Sequence, residues 1–326
     1  MCLRLHCRRV SGVTRAQIFI TGLVLALILG VGDFLYSSSE KKPSTSEAYI
    51  LFGGDMMFDR TIRTTAEKEG GNYLFACLDP LLKKADMTVA NLEGPITGNP
   101  SASRDSQPGD SNNFTFTFPT STAALLAAHF VGIVNLGNNH ITNFKTEGVK
   151  NTITILEKAG VAHFGDPVAN NIVYRTFRGI KIAFIGFNEF VHPMHSSSSA
   201  EATTVSQIKE ARGLGYLPVI YSHWGEEYKV ATGREKMLAH EFIDAGAEMV
   251  VGSHPHIVQE HETYRGKYIY YSLGNLIFDQ YWNDAVTHGL MLEVQFDTDG
   301  VVGVTEIPVV LNRSRTTCPV ENKAVL

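Results

Sequence analysis

Val250-Val251-Gly252-Ser253-His254-Pro255-His256-Ile257-Val258 is the stretch whose reading decides the fold. Its β-branched start reads as a buried strand, which places two imidazoles where the strand ends and a loop begins. Proline disfavours helical backbone in the residue before it, so His254 is expected to be extended. In extended chain, residues two apart face the same way. His254 and His256 then converge on one ligand, at the kind of loop where rigid scaffolds carry their sites. A plainer reading stands beside this one, in which one histidine caps the strand and the other lies on the surface. An H-x-H pair alone does not separate the two.

The same event recurs along the chain. Tyr49-Ile50-Leu51-Phe52 reads as a buried strand ending in Gly53-Gly54-Asp55, and Met87-Thr88-Val89-Ala90-Asn91 as one ending at Leu92-Glu93. Val131-Gly132-Ile133-Val134-Asn135 runs into Leu136-Gly137-Asn138-Asn139-His140, and the strand at 217–222 into His223-Trp224-Gly225-Glu226. Helical patterns fall at 73–84, 120–129, 146–159, 205–212 and 234–245, with further strands at 172–177 and 181–187. Beyond the opening stretch the character changes to strands at 257–261, 268–273, 290–296 and 301–310. Alternating β and α elements with added strands predict an α/β core of sheets layered between helices. Ligands gather outside the carboxyl ends of such strands, so Asp55, Glu93, Asn139, His140, His223, His254 and His256 are expected on one rim.

Singly, each of these residues is more often structural than a ligand; their joint recurrence carries the metal reading. Carboxylates, imidazoles and an amide oxygen without cysteine form a borderline-hard donor set suited to Mn, Zn or Fe. One or two divalent ions are therefore the expected cofactor. A pair about 3.5–4 Å apart needs a bridging oxygen, which Glu93 or Asp55 supplies.

The N-terminus is of another kind. Arg4, Arg8, Arg9 and Arg15 precede an apolar run from Ile18 to Gly32, and Asp33 interrupts it before Phe34-Leu35-Tyr36. Basic, apolar and then polar is the order of an export signal. A cleaved signal and an uncleaved anchor both fit; the lack of a small-x-small cleavage site favours the anchor. The expected organisation is a cytoplasmic stretch 1–16, a transmembrane helix 17–36, a polar tether 37–47, a folded domain 48–311 and a tail 312–326. The protein is thus expected at the cell membrane, single-pass, with its domain extracytoplasmic. The part after Tyr36 carries a net charge of −8, which argues against a nucleic-acid partner. Cys77 and Cys318 are its only cysteines, and they read equally as a disulfide or as two buried thiols.

Together, Gly54-Asp55, Asn91-Leu92-Glu93-Gly94, Asn138-Asn139-His140, His223-Trp224-Gly225-Glu226, Gly252-Ser253-His254-Pro255-His256 and Tyr271-Ser272-Leu273-Gly274-Asn275-Leu276-Ile277-Phe278-Asp279 resemble the CapA (PgsA-like) family of poly-γ-glutamate capsule biosynthesis proteins. That family is a branch of the calcineurin-like metallophosphoesterase superfamily, and the match runs from about Ala48 to Leu311. The resemblance implies a four-layer α/β/β/α sandwich, a capsule role and a membrane location. It also implies that Asp55 and His256 hold one metal, that Asn139, His223 and His254 hold the other, that Glu93 bridges, and that His140 is the proton donor. Two positions depart from the pattern. Met57 stands where the superfamily's first motif has a histidine, and Asn143 stands where the capsule family tends to carry an aspartate. A carboxylate there would raise the pKa of His140; an amide can only orient the ring.

Asn91, Asn138, Glu226 and Asn275 are expected to support the ligands or touch substrate. Trp224, Tyr228, Tyr281 and Trp282 form an aromatic wall or fill a sheet edge, and His192 and His195 read as a surface loop. The functional expectation is service to synthesis or export of an anionic poly-γ-glutamate-type polymer. In an enzymatic version, the site hydrolyses a phosphoester or γ-glutamyl amide. In a non-catalytic version, the protein assembles with membrane subunits of a capsule export complex. A secreted phosphodiesterase or nucleotidase unrelated to capsule is the third reading.

Overall fold

A β-strand turns successive side chains to opposite faces, and in the central strands of this protein both faces are apolar. The computed structural model describes residues 46–169, 172–190 and 197–320. The expected anchor and the histidines at 192 and 195 lie outside these residues. No helix among the described residues is long and apolar enough to cross a membrane.

The strands are β1 (Ala48–Met56), β2 (Met87–Leu92), β3 (Val131–Asn135), β4 (Ala162–Phe164), β5 (Val173–Phe177), β6 (Ile180–Asn188), β7 (Leu217–His223), β8 (Met249–Ser253), β9 (His261–Tyr264), β10 (Lys267–Tyr270), β11 (Asn275–Ile277), β12 (His288–Asp297), β13 (Gly300–Leu311) and β14 (Thr317–Pro319). One sheet has the order β14-β13-β12-β1-β2-β3-β4, with β11 beside the end of β1; the other has the order β5-β6-β7-β8-β10-β9. Ile50 and Phe52 of β1, Val89 of β2 and Ile133 of β3 meet Val219 and Tyr221 of β7 and Met249 and Val251 of β8 in a core between the sheets.

The alternate residues of the same strands face the helices. Leu51, Ala90 and Val134 pack with Ile62, Leu82, Leu126 and Val149, which lie on α1 (Arg60–Glu69), α2 (Asp79–Leu82), α3 (Thr122–Ala128) and α4 (Lys145–Lys158). Ile220 and Val250 pack under Ile208 of α5 (Ser197–Gly213) and Phe242 of α6 (Gly233–Ala245). Three separate cores require four layers, α/β/β/α.

Several elements differ from the sequence expectation. The helix expected over 73–84 is a 3₁₀ turn, Gly71–Phe75, followed by the short α2. Pro80, which cannot donate to a preceding turn, forces the restart. Helix α1 carries three threonines and one buried apolar residue, so its pattern is faint; the Asp59 side chain accepts the Arg60 amide at its start. Helix α5 begins eight residues earlier than its apolar pattern, within a serine run of low intrinsic helix propensity. The strand expected at 257–261 begins instead at His261, because His254 and His256 turn the chain out of the sheet.

Residues of the expected tail form β14, paired to β13 from Val309↔Pro319 to Leu311↔Thr317. There Cys318 is joined to Cys77 in a disulfide closing 241 residues of chain. A loop of that length is worth about 5 kcal/mol in unfolded-chain entropy. Reduction, or Cys318→Ala, is expected to lower the melting temperature by about 10 °C; coincident melting curves would refute this.

Gly252 carries a second constraint. A Cβ there would stand 1.8 Å from the Tyr271 carbonyl oxygen and 2.7 Å from Trp224 Nε1. Both are fixed, since Trp224 Nε1 donates to that same oxygen at 2.9 Å. Gly252→Ala is expected to cost about 3 kcal/mol or more, read as a melting point lowered by about 10 °C.

Candidate metal centre

Register places the site. Asp55 pairs with Asn91 and with Asn275, and Asn91 pairs with Asn135, so a row of polar side chains crosses the ends of β11, β1, β2 and β3. Across the sandwich, His223 pairs with Ser253 at the ends of β7 and β8. The His254 amide donates to Asp55 Oδ2 at 3.1 Å, joining the two sheets.

His254 is not extended. Its φ is 99° and that of His256 is 57°, both left-handed values that cost a non-glycine residue of order 1–3 kcal/mol. The two rings still converge, with centroids 6.0 Å apart, and the His254 ring lies 4.8 Å from that of His223. Convergence comes from a double left-handed turn around Pro255, not from the period of a strand.

Hydrogen bonds fix where the imidazole protons sit. Asn275 Nδ2 donates to the carbonyls of His256 and Val286 and to Gln280 Oε1, so its Oδ1, 3.0 Å from His256 Nδ1, accepts. His223 is tied at both nitrogens: Nδ1 lies 3.0 Å from Ser253 Oγ and 3.3 Å from Asn91 Nδ2, and Nε2 lies 2.9 Å from Asn139 Oδ1. Asn143 Oδ1 accepts the Phe116 amide at 2.8 Å and faces His140 Nδ1 at 3.3 Å, which must donate. His256 and His140 thus carry their proton on Nδ1 and turn an Nε2 lone pair inward.

The inward lone pairs meet other lone pairs. Glu93 Oε1 stands 3.5 Å from His256 Nε2 and 3.9 Å from His140 Nε2. Glu93 Oε1 and His254 Nδ1 are buried without a hydrogen-bond partner. Donor atoms of Asp55, Glu93 and His256 all lie within 4.8 Å of one another. Buried acceptors turned toward one another are costly unless a cation lies among them, so the residues present fit a divalent metal.

The charges agree. Burial, with Asp55 beside it, pushes Glu93 well above the usual carboxylate range. Burial also works on Asp55, but His256 and His223 and the Asn91 amide outweigh it and hold that carboxyl low. Burial pushes His140 down to about 4 and His254 to about 3, and it lowers His223 well below its ordinary value. Neutral imidazoles are the ligand form.

Asn91 and Asn138 act as struts. Asn91 Nδ2 donates to Asp55 Oδ1 at 2.8 Å, and Asn91 Oδ1 accepts from Asn135 and Asn138, both at 3.1 Å. Asn138 Oδ1 receives the amides of His140 and Ile141. Glu226 is exposed, and no hydrogen bond or ion pair joins its side chain to the cluster among the described residues. The carboxylate that serves this turn is Glu189, which accepts the Gly225 amide at 2.9 Å. Met57 is buried in the helix-side core, where its sulfur accepts the Asp59 amide.

The expected aromatic wall divides. Trp224 is core, and Tyr281 packs with Arg315 away from the cluster. Tyr228 stands 6.1 Å from His256 and edge-on to the exposed Trp282. Three neighbours escaped the sequence reading: Phe190 over His254 at 4.2 Å, Phe116 over His140 at 4.4 Å, and Phe278 against His256 at 4.9 Å. The alternating Phe114-Thr115-Phe116-Thr117-Phe118 was the available signal for one of them.

Residues 49–280 match the family model described as bacterial capsule synthesis protein PGA_cap. The chain is 32% identical over 246 residues to the capsule biosynthesis protein CapA of Bacillus anthracis, covering 70% of this chain and 59% of that one. It is 29% identical over 286 residues to the PGA biosynthesis protein CapA of Bacillus subtilis, covering 82% and 74%. A probable polyglutamine synthesis accessory protein of Mycobacterium tuberculosis is 24% identical over 218 residues, covering 60% and 56%. The chain therefore spans less than two thirds of two of these relatives. The family match begins in β1 and runs through every residue of the metal cluster, and the chain belongs to the bacterial capsule synthesis protein PGA_cap family.

Proposed function

We propose that this protein serves poly-γ-glutamate synthesis or export from outside the cytoplasm, using a metallophosphoesterase-like metal centre to hydrolyse a phosphoester or γ-glutamyl amide. The observation that carries the chemistry is the pair of buried, partnerless atoms Glu93 Oε1 and His254 Nδ1, with His256 Nε2 turned toward Glu93 at 3.5 Å. The polymer is supported by the names of the Bacillus relatives. The Cys77–Cys318 disulfide supports an oxidising compartment, in keeping with the tether and anchor read from residues 17–47.

Asp55 and His256 would hold one divalent ion and Asn139, His223 and His254 a second, with Glu93 completing the set. When bound, the ions supply Lewis-acid activation of a scissile carbonyl or phosphoryl oxygen. The chain does the remainder. Asn275 and Asn143 hold the ring protons of His256 and His140 on Nδ1. Asn91 and Asn138 lock the carboxylate and the loop before His140. In its resting form His140 offers a lone pair at Nε2, so it accepts a proton there before it passes one to a leaving group.

Purified full-length protein is expected to hold up to two equivalents of Mn, Zn or Fe by elemental analysis, and His256→Ala and Glu93→Ala each to lose at least one. Metal content equal to wild type in both variants would sink the assignment.

The buried protons give a pH signature for the metal-stripped protein. Unfolded histidines take up protons below about 6.5, whereas folded His140, His223 and His254 do not, so stability falls as pH drops from 6.5 toward 4. Glu93 acts oppositely: the folded protein keeps a proton that the unfolded chain releases above about 4.5, so stability declines with rising pH. Three histidines outweigh one carboxyl below 6.5, and the carboxyl alone acts above it. Melting temperature is expected to peak near pH 6.5 and to lose its alkaline decline when Mn is restored; a flat profile would refute the buried-proton assignment.

A further inference from the structure

Arg60 follows β1 directly, with φ at 47°, a left-handed value retained by a residue that is not glycine. Its guanidinium lies 5.0 Å from the centre of the Phe116 ring and 5.5 Å from that of Phe278. These are the rings that pack on His140 and His256. The cation thus stands one ring away from two histidines of the cluster. Nη1 donates to Asn113 Oδ1 at 3.2 Å, and Nη2 pairs with Asp279 Oδ1 at 2.5 Å. Asp279 also receives the amide and hydroxyl of Thr61 on its other oxygen, so this counter-ion is itself held in place and aims the guanidinium.

Two of the five guanidinium N–H groups are used in these bonds, and the buried Nε has no partner. A buried donor without an acceptor is costly to maintain. The charge of Arg60 acts on Glu93 on the floor of the cleft, on His140 at one side, and on Tyr228, which stands against His256. The two rings that carry the guanidinium also pack on His140 and His256, so it borders the space beside the cluster. That space is otherwise acidic: Asp55 and Glu93 form its floor, and Glu227 acts on Tyr228.

We propose that Arg60 is the anion-recognising residue of this cleft, and that its planar fork takes an oxyanion, phosphoryl or carboxylate, of the molecule presented to the metal centre. It would determine specificity by accepting substrates with an anionic group one residue's reach from the bond to be broken. The assignment rests on the metal-dependent reading above and adds the class of substrate to it. Arginine suits the task because its fixed donors match a two-oxygen acceptor, whereas lysine offers only a point charge.

The test titrates inorganic phosphate, and separately glutarate, into the full chain by calorimetry, in manganese-loaded and metal-stripped forms. Arg60→Gln is expected to bind the preferred anion about tenfold or more weakly, at unchanged manganese content and melting temperature, with Arg60→Lys in between. A preference for phosphate or for glutarate names the source of the anion, and either supports the proposal. Should Arg60→Gln melt early, Arg60→Lys at a wild-type melting temperature must still bind at least threefold more weakly. The proposal is overturned if the variants bind both anions as tightly as wild type, or if wild type binds neither. A chain that holds no manganese, yet loses anion binding with Arg60→Gln, keeps this assignment and removes the metal reading.

Discussion

The constraint on which this site depends is the placement of two imidazole protons. Asn275 and Asn143 each present an acceptor that is committed by its other bonds, and each therefore holds a ring proton on Nδ1. The Nε2 lone pairs of His256 and His140 are then turned inward, toward Glu93 Oε1. In water such an arrangement would relax by rotation or proton uptake. Here burial holds His140 neutral and the register of two sheets holds the rings in place. The sandwich therefore does more than bring ligand types together; it selects the tautomer in which they can act as ligands.

That selection carries structural costs, and they fall where the sheets meet. His254 and His256 occupy left-handed backbone, and the chain between β8 and β9 leaves the sheet to allow it. Gly252 lets the Tyr271 carbonyl and the Trp224 indole close against β8, and Gly54 lets the Gly274 carbonyl approach β1. Without these approaches, Asn275 on β11 would not reach the row that contains Asp55 and Asn91. The three apolar cores on either side of the sheets are what hold the strained loop in position.

Much of this was legible in the sequence because the governing pattern is local. Buried strands that stop at Asp55, Glu93, Asn139, His223 and His254 announce both the parallel sheets and the end at which side chains gather. The four layers follow from apolar residues on both strand faces. What was not legible depends on contacts distant in sequence. Proline at 255 spoke for extended His254, but the bond from its amide to Asp55, 199 residues away, sets a different conformation. Glu226 shared a motif with His223, yet the turn at Gly225 leaves it in solvent, and Glu189 from another strand does the local work. Phe190 carried no signal beyond hydrophobicity. The pairing of Cys77 with Cys318 required knowing that β14 returns to the helix layer over β1.

Asn143 joins the departures from the family pattern to the tautomer argument. A carboxylate at that position would hold His140 Nδ1 with a charge and draw a second proton onto Nε2. The amide holds the same proton on Nδ1 but adds no charge, and burial then keeps Nε2 bare. Because Asn143 Oδ1 also takes the Phe116 amide, it fixes the aromatic ring that lies against His140 and beneath the Arg60 guanidinium. One side chain thus sets the orientation of the histidine and of the platform carrying the nearby cation. Asn143 brings no negative charge to His140, and the nearby Arg60 guanidinium works with burial to keep the imidazole neutral.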